Sequence, residues 1–304
     1  MSNFDTLDVG LVVAGFGRHY LVETPEGRRL TCHPRGKKSE CVVGDRVRWR
    51  AASNAGDEGV IEQVEPRRNL LFRQDEWKTK AFAANLDQIL VMVASLPVFS
   101  ESQLARALIA AEHAHIDARI VLNKADLPEI NAARARLVPY SAMGYEVLEV
   151  ALKTEPDASL ALMQAQLAGR ATLVLGPSGA GKSTLINRMA PEARAQVGEI
   201  SKALQAGRHT TTHTQWHWLD PQRQTALLDS PGFQEFGLRQ IKADQLAGLM
   251  PDLAPHAEHC KFYNCTHQHE PGCGVRTALE RGEITPSRYR IYGELWNEMS
   301  ATRW

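Results

Sequence analysis

The stretch from Thr172 to Asn187 constrains this chain more than any other. The apolar run Thr172-Leu173-Val174-Leu175 leads into GPSGAGKS, Gly176 to Ser183, and then into Thr184-Leu185-Ile186-Asn187. A strand, a glycine loop and a helix in that order form a cradle for phosphate. Gly176, Gly179 and Gly181 let backbone amides converge at a helix N-terminus, with Pro177, Ser178 and Ala180 completing the loop and Thr184 opening the helix. Lys182 is placed to neutralise the β and γ oxygens, and the Ser183 hydroxyl suits Mg²⁺. A glycine-rich turn without this role would need neither the strand before it nor the helix after it. The fold must therefore include a parallel sheet covered by helices.

Asn123-Lys124-Ala125-Asp126 closes a second apolar strand and bears on which nucleotide is held. A carboxylate there can accept hydrogen bonds from guanine N1–H and its exocyclic amine, a pair that adenine does not offer. Asp126 is thus the expected discriminator, with Asn123 bracing the neighbouring loop and the Lys124 stem covering the base. Ser141-Ala142 is the expected source of a backbone N–H for guanine O6.

Asp229-Ser230-Pro231-Gly232 follows the apolar run Thr225 to Leu228, so Asp229 can reach Mg²⁺ through water and the Gly232 amide can meet the γ-phosphate. Between the two motifs lies Gly207-Arg208-His209-Thr210-Thr211-Thr212-His213, a polar stretch suited to a switch loop. Among its threonines Thr211 is favoured for Mg²⁺, alongside Ser183 and Asp229. Many GTPases carry a Gln after the DxxG glycine to orient the attacking water; Phe233 stands there instead. A polar group must come from elsewhere, and His209 is a candidate. Asn123 precedes Gly176, the reverse of the order in familiar small GTPases, so the motif order is permuted.

At 304 residues the chain allows two or three modules. Residues 9 to 65 alternate short β-like runs with turns, as in a small all-β barrel. From about 85, buried strands alternate with helices, and beyond Asp229 helical stretches surround a Cys/His cluster. The expected boundaries are a barrel over 1–70, a connector over 71–84, a GTPase domain over 85–238 and a helical metal-binding domain over 239–304. Lys plus Arg and Asp plus Glu number 35 each, so nucleic-acid affinity must come from local clusters. The opening MSNFDTLDVG lacks a basic-then-apolar leader, and no apolar run reaches membrane-spanning length. A cytoplasmic monomer with no membrane partner is expected.

Cys260, Cys265, His267 and Cys273 stand as C-x4-C-x-H-x5-C. Three thiolates and an imidazole suit a closed, structural tetrahedral Zn²⁺ site, with His259 and His269 as competing ligands. In the barrel, Arg46, Arg48 and Arg50 alternate with Val47 and Trp49, which places three guanidiniums on one face. Arg35, Lys37 and Lys38 sit in a Gly-containing loop of the kind OB-folds turn toward RNA.

Together NKAD, GPSGAGKS, GRHTTTH, DSPGF, Ala83 to Asp87 and the terminal cluster make the chain resemble the RsgA (YjeQ) family of circularly permuted GTPases. The resemblance covers essentially the whole length. It implies an OB-fold β-barrel, a circularly permuted P-loop GTPase domain and an α-helical zinc domain. It implies GTP hydrolysis to GDP and phosphate, stimulated by the small (30S) ribosomal subunit, with rRNA as partner and release of assembly factors as outcome. It also favours His209 over His213 for the attacking water, and His267 as the fourth zinc ligand. Two other readings fit parts of the sequence: a P-loop ATPase or kinase, and a GTP-sensing RNA scaffold without turnover.

Overall fold

The computed structural model describes residues 7–36, 41–52, 58–74, 79–191, 214–229 and 238–301. Strands β1 (Asp8–Phe16), β2 (His19–Glu23), β3 (Arg29–Pro34), β4 (Arg46–Ala51) and β5 (Glu58–Val64) close into a barrel in the order β1-β2-β3-β5-β4-β1. Only β3 and β5 run parallel; the other neighbours are antiparallel. Strand alternation turns Val12, Val22, Leu30, Cys32, Val47, Trp49 and Ile61 inward to form its core. This is the OB-like barrel expected from the spacing of short strands; β3, with its polar Thr31 and His33, has no apolar run to mark it in the sequence.

The stretch expected to be a connector is a hairpin, β6 (Leu70–Gln74) with β7 (Thr79–Ala84). Its base is tied to the barrel and to the next domain. Asn85 Nδ2 donates to Gly44 O at 2.8 Å, and Asn69 exchanges two bonds with Leu86. Arg67 grips the fully buried Asp45 at 2.7 and 2.8 Å.

The second domain is a sheet in the order β10-β9-β8-β11-β13-β12. Its strands are β8 (Gln88–Ala94), β9 (Asp117–Asn123), β10 (Val147–Val150), β11 (Ala171–Leu175), β12 (Gln215–Trp218) and β13 (Ala226–Asp229). All pairs are parallel except β12 with β13. β8 and β11 are buried along their whole length, which is why they read as continuous apolar runs. Their side chains still alternate between faces. Ile89, Val91 and Val93 join the core under α1 (Glu101–His113) and α2 (Ile130–Ala142), whereas Leu90 and Met92 join that under α3 (Pro156–Leu167) and α4 (Lys182–Met189). Ala14 of β1 pairs with Gln215 of β12, so barrel and sheet are hydrogen-bonded into one continuous ribbon.

The chain leaves β8 and β9 in one direction across the sheet and β11 in the other. The strand order reverses between β8 and β11, and ligands of such sheets bind outside the carboxyl ends at that point. The loop after β11 and the end of β9 are therefore brought together although Asn123 precedes Gly176, as permutation requires.

Beyond residue 238 come two 3-10 turns (Ala243–Gln245 and Ala247–Leu249), the short α5 (Ala254–Ala257), α6 (Gly274–Glu280) and α7 (Pro286–Ala301). Leu246, Met250, Val275, Ile291, Tyr292 and Leu295 belong to the same apolar cluster as α1 and α2. Arg288 sits at the seam, 3% exposed, bidentate to Asp252 at 2.7 and 3.0 Å and stacked 5.2 Å above the Tyr140 ring. The C-terminal module is thus fused to the sheet domain's core.

Candidate nucleotide and metal sites

The glycine loop depends on conformations and clearances that only glycine supplies. Gly176, Gly179 and Gly181 have φ of +151°, +80° and +107°. A Cβ on Gly176 would lie 2.2 Å from Met92 O of β8, and one on Gly181 would lie 2.1 Å from Asn123 Nδ2. α4 starts at Lys182 with Gly181 as its cap and no side-chain cap, so its first amides face the loop's mouth. Ser183 and Thr184 are exposed in that first turn. Lys182 folds back to donate to Gly176 O at 2.6 Å and Pro177 O at 3.1 Å. Burial lowers its pKa, opposed by the nearby Asp229 carboxylate at the end of β13.

Asn123, 4% exposed, bridges two loops. Its Nδ2 donates to Ala180 O at 2.8 Å and its Oδ1 accepts from Leu152 N at 3.3 Å. Lys124 has φ of +61° and sends Nζ to Leu96 O at 2.5 Å, while Ser95 Oγ donates to Lys124 O at 2.8 Å. Asp126 is exposed and borders a hollow of about 320 Å³ that Ala125, Val150 and Ala151 also line. Asn123, Lys124, Asp126, the Gly176–Thr184 loop and Asp229 thus gather at one end of the sheet.

Ser141 and Ala142 do not. They form the last turn of α2, which carries the chain from the carboxyl end of β9 back to the amino end of β10. In a parallel sheet that is the end opposite the glycine loop, so their expected contact with the base is corrected. The turn at the carboxyl end of β10, Ala151 to Thr154, stands where they were expected. Leu152 N is taken by Asn123 and Ala151 N by Ser159 Oγ at 3.0 Å, so Lys153 and Thr154 carry the next amides. The stretch Val147 to Leu152, apolar but for Glu149, was the signal for this turn. The Ser-Ala dipeptide was a decoy. His209, Thr211 and Gly232 lie outside the described residues, as do Lys37 and Lys38.

In the C-terminal module, the ligand atoms of Cys260, Cys265, His267 and Cys273 all lie within 4.8 Å of one another. Metal–sulfur bonds of about 2.3 Å and a metal–nitrogen bond of about 2.05 Å require tetrahedral edges of roughly 3.8 Å between sulfurs and 3.6 Å from sulfur to nitrogen. Cys260 and Cys273 sulfurs stand 3.9 Å apart, and His267 Nδ1 lies 3.4 and 3.5 Å from them. The four residues can hold a metal ion. Burial pushes the Cys265 thiol up to about 12 and also raises Cys273, so a cation is what would draw out the thiolates. Gly274 N donates to Cys260 Sγ at 3.3 Å, a bond that a thiolate strengthens.

The intervening loop is held by a residue that spacing did not single out. Glu270 accepts from Thr266 N, Thr266 Oγ1, Gln268 N and His269 N. Against a burial penalty, these bonds hold its pKa down to about 2. Tyr292 and Tyr289 of α7 donate to Thr266 O and His267 O at 2.8 and 2.7 Å, docking the loop on the core.

The barrel's arginine face is less free than alternation suggested. Arg48 pairs with Glu65 at 2.8 Å, and Arg50 and Arg35 both bind Glu62 at 2.6 Å. Among the described residues, Arg46 has no carboxylate partner, and it faces the barrel–sheet cleft.

A family model described as RsgA GTPase matches residues 64–239. A protein of Variovorax paradoxus named small ribosomal subunit biogenesis GTPase RsgA is 60% identical over 300 residues, covering 97% of this chain and 93% of its own. One of the same name from Burkholderia pseudomallei is 50% identical over 293 residues, covering 96% and 92%. Two solved structures superpose along the whole length. One, described as YloQ, a circularly permuted GTPase, has a TM-score of 0.72 at 25% identity and covers 100% of this chain and 99% of its own. The other, YjeQ from Thermotoga maritima, has 0.73 at 29% and covers 97% and 99%.

Proposed function

Since this chain belongs to the RsgA GTPase family, we propose that it binds GTP at the carboxyl ends of β8, β9, β11 and β13 and hydrolyses it during late maturation of the small (30S) ribosomal subunit. The observation that carries the reading is Asn123, whose two bonds tie the guanine-reading segment to the phosphate loop on one side and to the turn after β10 on the other. Base recognition and phosphate cradling then share one rigid unit. Asp126 accepts from the guanine edge, the Lys124 stem covers the ring, and the Lys153-Thr154 turn supplies an amide to O6. On binding, Lys182 exchanges two carbonyls for the β and γ oxygens, a stronger, charge-assisted pairing. The exposed Ser183 and the nearby Asp229 suit Mg²⁺, with Thr211 as the third group; when bound, the ion would neutralise charge on the transferring phosphate. Gly232 donates to the γ-phosphate, and His209 orients water in place of the Gln that Phe233 replaces.

The Cys₃His set is a structural zinc site, because thiolates and imidazole prefer zinc and four protein ligands leave no open position. The barrel and the metal module bind rRNA, hydrolysis times departure and the release of other assembly factors, and the protein works as a cytoplasmic monomer. Among the described residues no helix is long and apolar enough to cross a membrane.

Turnover of GTP and of ATP, each measured with and without isolated small subunits, tests the reading. GTP turnover should rise with subunits and ATP should compete poorly. Equal use of ATP would favour a P-loop ATPase or kinase. GTP binding without turnover even on subunits would favour a sensing scaffold.

A further inference from the structure

Between the barrel and the sheet lies a cleft of about 900 Å³, on the amino side of β11 and β13 and so at the opposite end of the sheet from the glycine loop. Its barrel wall carries Arg46 and Arg48 and its sheet wall Trp216 and Trp218, with Arg68 and Arg223 at the margins. The volume falls within the range of ligand pockets, which concentrate at domain interfaces.

The charges in it are nearly cancelled. Arg48 is held by Glu65 at 2.8 Å and Arg68 by Asp87 at 2.9 Å. Arg223 donates to Pro25 O at 2.9 Å and stands 3.7 Å from Glu23. Among the described residues Arg46 alone of the four lacks such a partner, which leaves the cleft's described lining with one unspent cation. Its aromatic wall is rigid. The two indoles meet edge to face at 5.3 Å, and Trp218 Nε1 donates to the buried Glu23 at 2.6 Å. Trp216, 6% exposed, has no partner for its Nε1 among the described residues.

We propose that this cleft receives a single unpaired nucleotide of an RNA strand, its base against the Trp218 wall and its phosphodiester on Arg46. The proposal rests on the reading of the chain as an RNA-binding ribosomal factor and changes what the barrel arginines do. An open face over duplex phosphates needs several free cations along a surface. One free guanidinium beside an aromatic wall in a concavity instead matches one phosphate charge and one splayed base, the chemistry of single-strand recognition. Since β12 forms one wall and directly follows the segment bearing His209 and Thr211, occupancy would be felt on the nucleotide side.

The test uses the full chain, a short single-stranded RNA, the same sequence as a duplex, and isolated small subunits. Single-stranded RNA should quench tryptophan emission saturably. Arg46→Ala should weaken that binding roughly tenfold, as expected for losing a hydrogen bond to a charged group, and Arg46→Glu should weaken it further. Trp218→Phe should remove most of the quench. Duplex binding should ignore all three substitutions, and melting curves check that each variant is folded. RNA binding unaffected by Arg46→Ala and Arg46→Glu, or an unquenched emission, would overturn the cleft while wild-type co-sedimentation with subunits leaves the ribosomal reading standing. Failure of the wild type to co-sediment would instead sink that underlying reading.

Discussion

Asn123→Ala is the sharpest probe of the nucleotide site, because both of its bonds join segments distant in sequence. Truncation leaves Ala180 O and Leu152 N without their partners at 2.8 and 3.3 Å, in a place where the side chain is only 4% exposed. An unsatisfied buried group costs about 1–3 kcal/mol, so the pair should lose about 2–6 kcal/mol, divided between folding and nucleotide affinity. If only the lower limit reaches the bound state, GTP affinity falls about thirtyfold. Asn123→Asp keeps the shape and the acceptor for Leu152 N but sets a carboxylate oxygen against Ala180 O, acceptor facing acceptor. Its affinity should fall at least as far. Titration of a fluorescent GTP analogue, with thermal melts of the nucleotide-free variants, separates the two shares. If Asn123→Ala bound GTP within threefold of wild type and melted unchanged, the bridge would not be what unites the base and phosphate sites.

Gly176→Ala would drive a Cβ to 2.2 Å from Met92 O at φ of +151°, and the same titration should show GTP affinity down about tenfold or more; ordinary binding would mean that β8 and the loop can part. His217 is held neutral because burial, with Arg29 adding repulsion, pushes its pKa down to about 4 from 6.5. The unfolded chain takes the proton first, so this contribution is complete above pH 6.5 and is lost as pH falls toward 4, about 2 kcal/mol of it by pH 5. Urea midpoints of wild type and His217→Gln at pH 7 and pH 5 should show the variant losing less, and equal losses would exclude His217 as the source. Cys265→Ser should drop metal content, measured by emission spectrometry after chelation and gel filtration, from one ion per chain to background; full retention would remove Cys265 from the ligand set.

What the sequence revealed and what it concealed divide along one physical line. The glycine loop, NKAD and the Cys/His cluster were legible because each is a local motif whose geometry is set within a few residues. The base-side turn was not, because which end of a parallel sheet a residue occupies depends on the direction of its helix. Ser141-Ala142 has the right chemistry and the wrong end, α2 having carried it there. Strand β12, Gln-Trp-His-Trp, is half polar and pairs with both β13 and the barrel, so it shows no apolar run. The arginines of β4 read as a free face because the carboxylates that cancel Arg50 and Arg48 come from the next strand, Glu62, and from the residue just past its end, Glu65. Glu270 looked like an ordinary loop acid, since the four donors that it collects converge only when the loop is folded.

The permutation acquires its meaning from what flanks the two segments proposed to act at the γ-phosphate. Residues 192–213, which carry His209 and Thr211, run into β12, and β12 is paired to the barrel through Gln215 and Ala14 and pinned there by Trp218 on Glu23 and Arg223 on Pro25. Residues 230–237, which carry Gly232, run into Leu238 and Ile241, both buried in the core that the sheet shares with the metal module. In the unpermuted order the second segment would lead back into the sheet's own helices. Here each segment delivers the chain to a different outer module, so the proposed γ-phosphate contacts at Thr211 and Gly232 would be linked to the barrel along one path and to the metal module along the other. The buried Arg288, gripping Asp252 under the Tyr140 ring, makes the second path stiff: the helix bearing the metal loop's tyrosines cannot shift without α2. A hinge between the modules would absorb a pull along that path. A fused core would transmit it, and a metal ion on Cys260, Cys265, His267 and Cys273 would help the C-terminal module keep its shape while it did so.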